Sequence, residues 1–290
     1  MFDIGVFAPF GDDHARNLAF CNDTSVRHIV LAVGNLEQDD TGTPAVGPLK
    51  ELVAHYRDHG VQLAGLTPPR ITQAAFDDPS IKAQELATLE RLLDSMGKAG
   101  IPYVHNYLNV DAIEDENERS KLWNGLVEFY RQLIPLAEDS GVSISTHTFH
   151  RPDRLLWNFT TMSSLLNEVK SPNNGITFCQ GKSQLAGDDI AANIIAYGDQ
   201  ITMFHIRDIV TKVEGSIAPE IEKRLADMGY LEVEFGAGEV DMVGSFKALK
   251  QINYQGQIYP EHFPAIAGDS AAGLAMTIGY IRAMDQALAD

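Results

Sequence analysis

The chain has 290 residues, 44% hydrophobic and 21% charged, with 40 Asp plus Glu against 22 Lys plus Arg and a formal net charge of −18. So acidic a surface repels nucleic-acid phosphates and anionic lipid, which argues against a nucleic-acid or membrane-surface partner, and no apolar run approaches the roughly 18 residues of a membrane span. Two cysteines, Cys21 and Cys179, are too few for a disulfide framework, so reduced thiols and a cytoplasmic location are expected.

In chain order, short β-branched or aromatic runs predict strands at 3–7, 28–33, 61–66, 103–107, 143–147, 176–179, 201–205 and 257–261. Helical patterns fall near 13–21, 47–59, 80–99, 116–139, 158–169, 188–197, 240–251 and 269–287. Several strands follow a helix through glycine, as in "DHGVQL", "KAGIPYV" and "DSGVSIS". Glycine there is the expected left-handed helix cap. Strand–helix alternation predicts an α/β chain with a parallel sheet. The number of units and the length favour a closed (β/α)8 TIM barrel, one domain over residues 1–290. A doubly wound open sheet is the alternative, but no G-x-G-x-x-G follows the first strand. Two insertions stand out: "EQDDTGTPAVG" after the second strand, and 208–239 after the seventh, with a short helix expected at 217–228.

A barrel places its chemistry at the C-terminal ends of its strands. The fifth strand ends in "SISTHTFHRPD", with His147 at the tip and His150 beyond it. The sixth ends at Cys179, before a small polar loop, Gln180-Gly181-Lys182-Ser183. The seventh ends in "MFHIRD", with His205 and Arg207, and the eighth in "IYPEHFP", with Glu261 and His262. One cysteine at a buried strand end is ordinarily a small hydrophobe. His, Cys, His and Glu on consecutive strand ends instead form a donor set for a divalent transition metal, and Zn, Mn, Fe, Co and Ni all fit it. His105, on the fourth strand, faces either the barrel mouth or the core. Asp208 is either a carboxylate behind the ligands or a loop cap. His14, His28, His55 and His59 read as surface or helix residues, and the acidic run 111–118 as a solvated helix start.

The stretches "NGITFCQGKSQLAGDDIAANIIAYGDQITMFHIRDI", "GAGEVDMVGSFKAL" and "YPEHFP", and more loosely "GIPYVHNYLNV", resemble mannonate dehydratase, a metal-dependent sugar-acid lyase of the xylose-isomerase-like barrel superfamily. The resemblance implies His147, Cys179, His205 and Glu261 as metal ligands, normally for Mn2+. It implies His262 as the acid/base residue and Arg207 as the holder of the substrate carboxylate. His105 and His150 are further candidates for substrate contact. The implied reaction removes water from D-mannonate to give 2-keto-3-deoxygluconate, and family habit points to a homo-oligomer. Three positions depart from the family pattern. Glu261 stands for its usual Asp. "HTFHRPD" offers both His147 and His150 as the strand-five ligand. "GDSA" places Asp269, read otherwise as a helix cap, where the family carries Tyr. The alternatives are a metal-dependent sugar isomerase or epimerase of the same superfamily, and a sugar-acid-binding barrel without turnover.

Overall fold

The computed structural model describes residues 1–213 and 218–289. Its frame is a closed barrel of eight strands: β1 (Asp3–Phe7), β2 (His28–Ala32), β3 (Gln62–Thr67), β4 (Tyr103–Asn106), β5 (Ser143–His147), β6 (Asn174–Cys179), β7 (Ile201–Ile206) and β8 (Gln257–Pro260). Each strand pairs in parallel with its neighbours in sequence, and β8 closes on β1. That is the predicted (β/α)8 architecture, and an open doubly wound sheet is excluded.

The crossovers are helices that start and stop on local signals. The carboxylates of Asp78, Asp115, Asp189, Asp241 and Asp269 each accept backbone N–H bonds at a helix start. Part of the chain's acidity is therefore capping, including the acidic run before Glu116–Ser140. Gly100 and Gly141 end their helices at φ of 78° and 66°, a region that costs a side-chain-bearing residue about 1 kcal/mol or more. His28 lies half-buried on β2 rather than on the surface or a helix.

Outside the barrel, helix faces pack on the strands. Inside it, Val30, Ala64, Tyr103, Met203 and Tyr259 form a separate buried plug. The hydroxyls of Tyr103 and Tyr259 are hydrogen-bonded there. This plug closes the barrel beneath the polar residues of the mouth.

One feature differs from expectation, and one expected insertion carries strands the sequence did not suggest. Gln180–Ala186 is a helix that begins directly after Cys179, not a polar loop. The insertion after β7 folds back, with Asp208–Val210 pairing antiparallel to Leu231–Val233. Its helix runs Pro219–Met228, and residue 217 of the expected span lies outside the described residues. Asp208 is the anchor of this insertion: its carboxylate accepts from the backbone N–H groups of Gly236 and Gly238, both at 2.9 Å. No helix among the described residues is long and apolar enough to cross a membrane.

Candidate metal centre

Strand register explains how four distant residues meet. Cys179 on β6 is level with His205 on β7, and His205 is level with Tyr259 on β8. Side chains two apart share a face, so Glu261 follows Tyr259 on the inward side, one layer up. The Glu261 N–H bonds the Ile206 carbonyl at 2.9 Å, which extends the ladder one residue past β8. His147 is level with Thr177, and Cys179 lies two residues beyond Thr177 on the same face. The barrel's parity thus aims His147, Cys179, His205 and Glu261 at one point.

The donor atoms of these four lie within 4.8 Å of one another. From Glu261 Oε2 it is 3.4 Å to His205 Nδ1, 3.5 Å to Cys179 Sγ and 3.9 Å to His147 Nε2. Donors around a tetrahedral ion with bonds near 2.1 Å stand about 3.4 Å apart, so the set is close to closed around an ion. Buried polar atoms normally have partners. Here His147 Nε2 and both ring nitrogens of His205 have no hydrogen-bond partner among the described residues. His147 Nδ1 faces the Thr148 carbonyl oxygen at 2.5 Å. Donation there places the proton on Nδ1 and leaves the Nε2 lone pair directed at the other donors. Burial holds both imidazoles below their usual pKa, against the opposing pull of Glu261. The donor set, its spacing and its orphaned nitrogens fit a divalent cation.

Around the donors lies a ring of polar groups. Burial works against the charge of Glu261, yet Arg207 and His205 hold its carboxyl well below the usual range. Arg207 is 1% exposed. Its Nη2 donates to Cys179 Sγ at 3.3 Å and lies 3.5 Å from Glu261 Oε2, and its Nη1 lies 3.6 Å from Glu232 Oε1. Gly181 makes room for it, since a Cβ at that position would sit 2.5 Å from Arg207 Cγ. The Tyr107 hydroxyl donates to Glu261 Oε1 at 3.0 Å, and burial, then Glu261, pushes that phenol well up. His105 is buried, with its ring 4.9 Å from that of His205 and Nδ1 3.2 Å from Thr67 Oγ1. Its place is the mouth, beside the donors.

His262 takes φ of 53°, a turn that presents its imidazole to solvent, 52% exposed. Its Nε2 lies 3.5 Å from Glu261 Oε1. It borders a cavity of about 440 Å³ that Phe7, Val30, His105, Tyr107, Glu261 and Phe263 help to line. His150 turns away from the donors: its Nδ1 is 3.1 Å from Lys182 Nζ. Of the two strand-five candidates, His147 is the one whose ring reaches the cluster. Asp269 caps the last helix through the N–H groups of Ala271 and Ala272.

Four groups near the site escape a sequence reading. Tyr107 passes as one more aromatic at the end of a strand. Lys182 reads from sequence as part of a small polar loop. Tyr230 and Glu232 sit far along the insertion and arrive only through the pairing of Asp208–Val210 with Leu231–Val233. No local sequence signal marks the last two.

A parallel (β/α)8 barrel with nitrogen, sulfur and carboxylate donors converging at its C-terminal mouth defines the class. The model of the xylose isomerase-like TIM barrel family matches residues 19–283, and the chain belongs to that family. It is 27% identical to a mannonate dehydratase of Bacillus licheniformis over 215 residues, 72% of this chain and 51% of that protein. Across curated mannonate dehydratases that it matches, the chain spans about three tenths to one half of their length. Among solved structures, mannonate dehydratase from Streptococcus suis serotype2 superposes with a TM-score of 0.76 at 18% identity, over 99% of this chain and 95% of that one. An L-ribulose 3-epimerase superposes with a TM-score of 0.72 at 15% identity, over 99% and 95% of the two chains. At these identities the solved structures report the fold.

Proposed function

We propose that this protein is a metal-dependent hydro-lyase acting on a sugar acid, in the manner of mannonate dehydratase, with D-mannonate as the test substrate. The observation that carries the reading is the donor set itself: a thiolate-forming Cys179 beside His147, His205 and Glu261, in a chain whose curated relatives include mannonate dehydratases. Mn2+ is the first ion to test, and Zn, Fe, Co and Ni suit the same donors. A divalent ion held there would supply Lewis-acid stabilisation of the negative charge that develops beside a carboxylate when the neighbouring proton leaves.

The remaining roles belong to the protein. His262, exposed beside the cavity, is the group that moves the proton: a base at C2, then an acid toward the departing C3 hydroxyl. An imidazole suits both directions near neutral pH. Tyr107 fixes one oxygen of Glu261 so that the other points at the remaining donors. Arg207 brings positive charge against Glu261, which favours its charged form.

The test is direct: metal-loaded protein should convert D-mannonate to 2-keto-3-deoxygluconate. If no aldonate is dehydrated while metal is bound, the reading is wrong. One observation favours a second reading, a sugar isomerase or epimerase: the residues lining the cavity beside His262 include no Lys or Arg, which suits a neutral ketose. Interconversion of ketoses without dehydration would select it.

A further inference from the structure

A sugar-acid substrate brings a carboxylate, and a carboxylate in a low-dielectric mouth needs a cation. Two are within reach. The charge of Arg207 is already opposed by two carboxylates, those of Glu261 and Glu232 at 3.5 and 3.6 Å, even though not all of its nitrogens are hydrogen-bonded. Lys182 is different. It lies in the first turn of helix Gln180–Ala186, three residues after Cys179. Its Nζ is 3.1 Å from the Tyr230 hydroxyl and 3.1 Å from His150 Nδ1. Both partners are uncharged: burial and the neighbouring cations push His150 down to about 3, and burial pushes the Tyr230 phenol up. No carboxylate pairs with Lys182 among the described residues, although it is largely removed from solvent.

The ammonium is also close to the donors. Its Nζ lies 5.0 Å from the centroid of the Tyr230 ring, and the guanidinium of Arg207, which touches Cys179, lies 6.0 Å from the same ring. An ammonium in such surroundings is costly unless an anion completes it. The two flanks of the mouth then have opposite characters. The flank after β6 and β7 carries Lys182, Tyr230 and Arg207, whereas the cavity beside β1, β2 and His262 has no Lys or Arg in its wall and one carboxylate, that of Glu261.

We propose that Lys182, held between His150 and Tyr230, binds the carboxylate of the substrate and sets the preference for an acid over a neutral sugar. This rests on the sugar-acid reading above. It orients the ligand, with its acid end on the β6–β7 flank and its hydroxylated tail in the cavity bordered by His262.

The test is calorimetric binding to metal-loaded protein of D-mannonate and of D-mannitol, a neutral polyol of the same carbon number. In Lys182→Met, mannonate should bind at least about tenfold more weakly, which is about 1.4 kcal/mol. Mannitol should bind within about twofold of its wild-type affinity and metal content should be unchanged. Lys182→Arg should restore most of the preference. Tyr230→Phe, which frees one side of the lysine, should reduce it in part. The proposal is overturned if Lys182→Met keeps the wild-type preference, or if both ligands weaken alike. A wild-type protein that prefers mannonate through Lys182 but never dehydrates it leaves this proposal standing and removes the dehydratase reading. A wild-type protein indifferent between the two ligands removes both.

Discussion

At the floor of the barrel, Asp285 is buried to 3% exposure and fully answered. Its carboxylate accepts from the backbone N–H of Phe2 at 2.6 Å and from Lys250 Nζ at 2.5 Å, with the N-terminal amine 3.9 Å away. At the mouth the opposite holds. One ring nitrogen of His105, one of His147, both of His205 and two nitrogens of Arg207 are buried without a hydrogen-bond partner among the described residues. An unanswered buried polar group costs about 1–3 kcal/mol. Several of them directed at one point fit a ligand from outside the chain. The floor ties the last helix to the first strand; the mouth is built to receive a ligand. The same division between a stability face and a chemistry face runs through (β/α)8 enzymes.

The largest break in that contrast should come from Cys179→Ala. Losing a donor should weaken metal binding by more than about a hundredfold, the upper range for merely removing a ligand's outer partner. Circular dichroism should show the fold intact, and Cys21→Ala, in the core far along the chain, should leave metal content alone. Next is His262→Asn, for which kcat should fall by about a hundredfold at unchanged metal stoichiometry. Metal loss in that variant would make His262 a ligand and overturn the assignment of Glu261.

The floor should respond in stability rather than chemistry. Asp285→Ala should cost about 2 kcal/mol in denaturant unfolding and leave metal affinity untouched, since it strands a lysine and a backbone N–H. Burial raises the Asp285 carboxyl, but Lys250 and the Phe2 N–H outweigh it, so its pKa is lowered. Its contribution is therefore full above the ordinary carboxylate pKa and lost as pH falls through the lowered one. Acid should weaken the wild type more than the variant.

A smaller effect tests the mouth by pH. Burial, with Arg207 adding to it, pushes Lys182 down to about 8. Below that pH the ammonium is charged and holds a carboxylate; above it the charge is lost. The groups packed around it, His150, Tyr230, Arg207 and Glu232, do not supply a competing change there: His150 is already neutral and Tyr230 still protonated. Affinity for D-mannonate should fall by about tenfold per pH unit above about 8, while mannitol affinity stays flat. A mannonate profile parallel to the mannitol one would count against Lys182. The smallest effect belongs to Asp269→Asn. Asn caps as well as Asp, so stability should move by less than about 0.5 kcal/mol, with turnover unchanged. A tenfold loss of kcat would instead make Asp269 part of the chemistry.

Much of this was legible in the sequence because barrels are locally written. Alternating apolar runs, aspartate N-caps and glycine C-caps each act over a few residues. They placed all eight barrel strands to within about two residues. The polarity of parallel strands then made "the residue at the strand tip" a usable guide, and it singled out the same His147, Cys179, His205 and Glu261 whose side chains converge. What failed locally was short or isolated. Gln180–Ala186 has one long apolar side chain, Leu185, and so no stripe to betray a helix.

Sequence alone therefore determined the elements, their order and the face each strand residue takes, since these follow from backbone sterics and side-chain periodicity. Tertiary structure decided which neighbours those faces meet. His147 was separated from His150 only by the fold, which turns the ring at the strand tip toward the other donors and leaves the one in the following loop beside Lys182. Tyr107 reached Glu261 across 154 residues of chain, and Tyr230 reached Lys182 across 48. Contacts at such separations are set by barrel closure and by the return of an inserted loop, which no local pattern records.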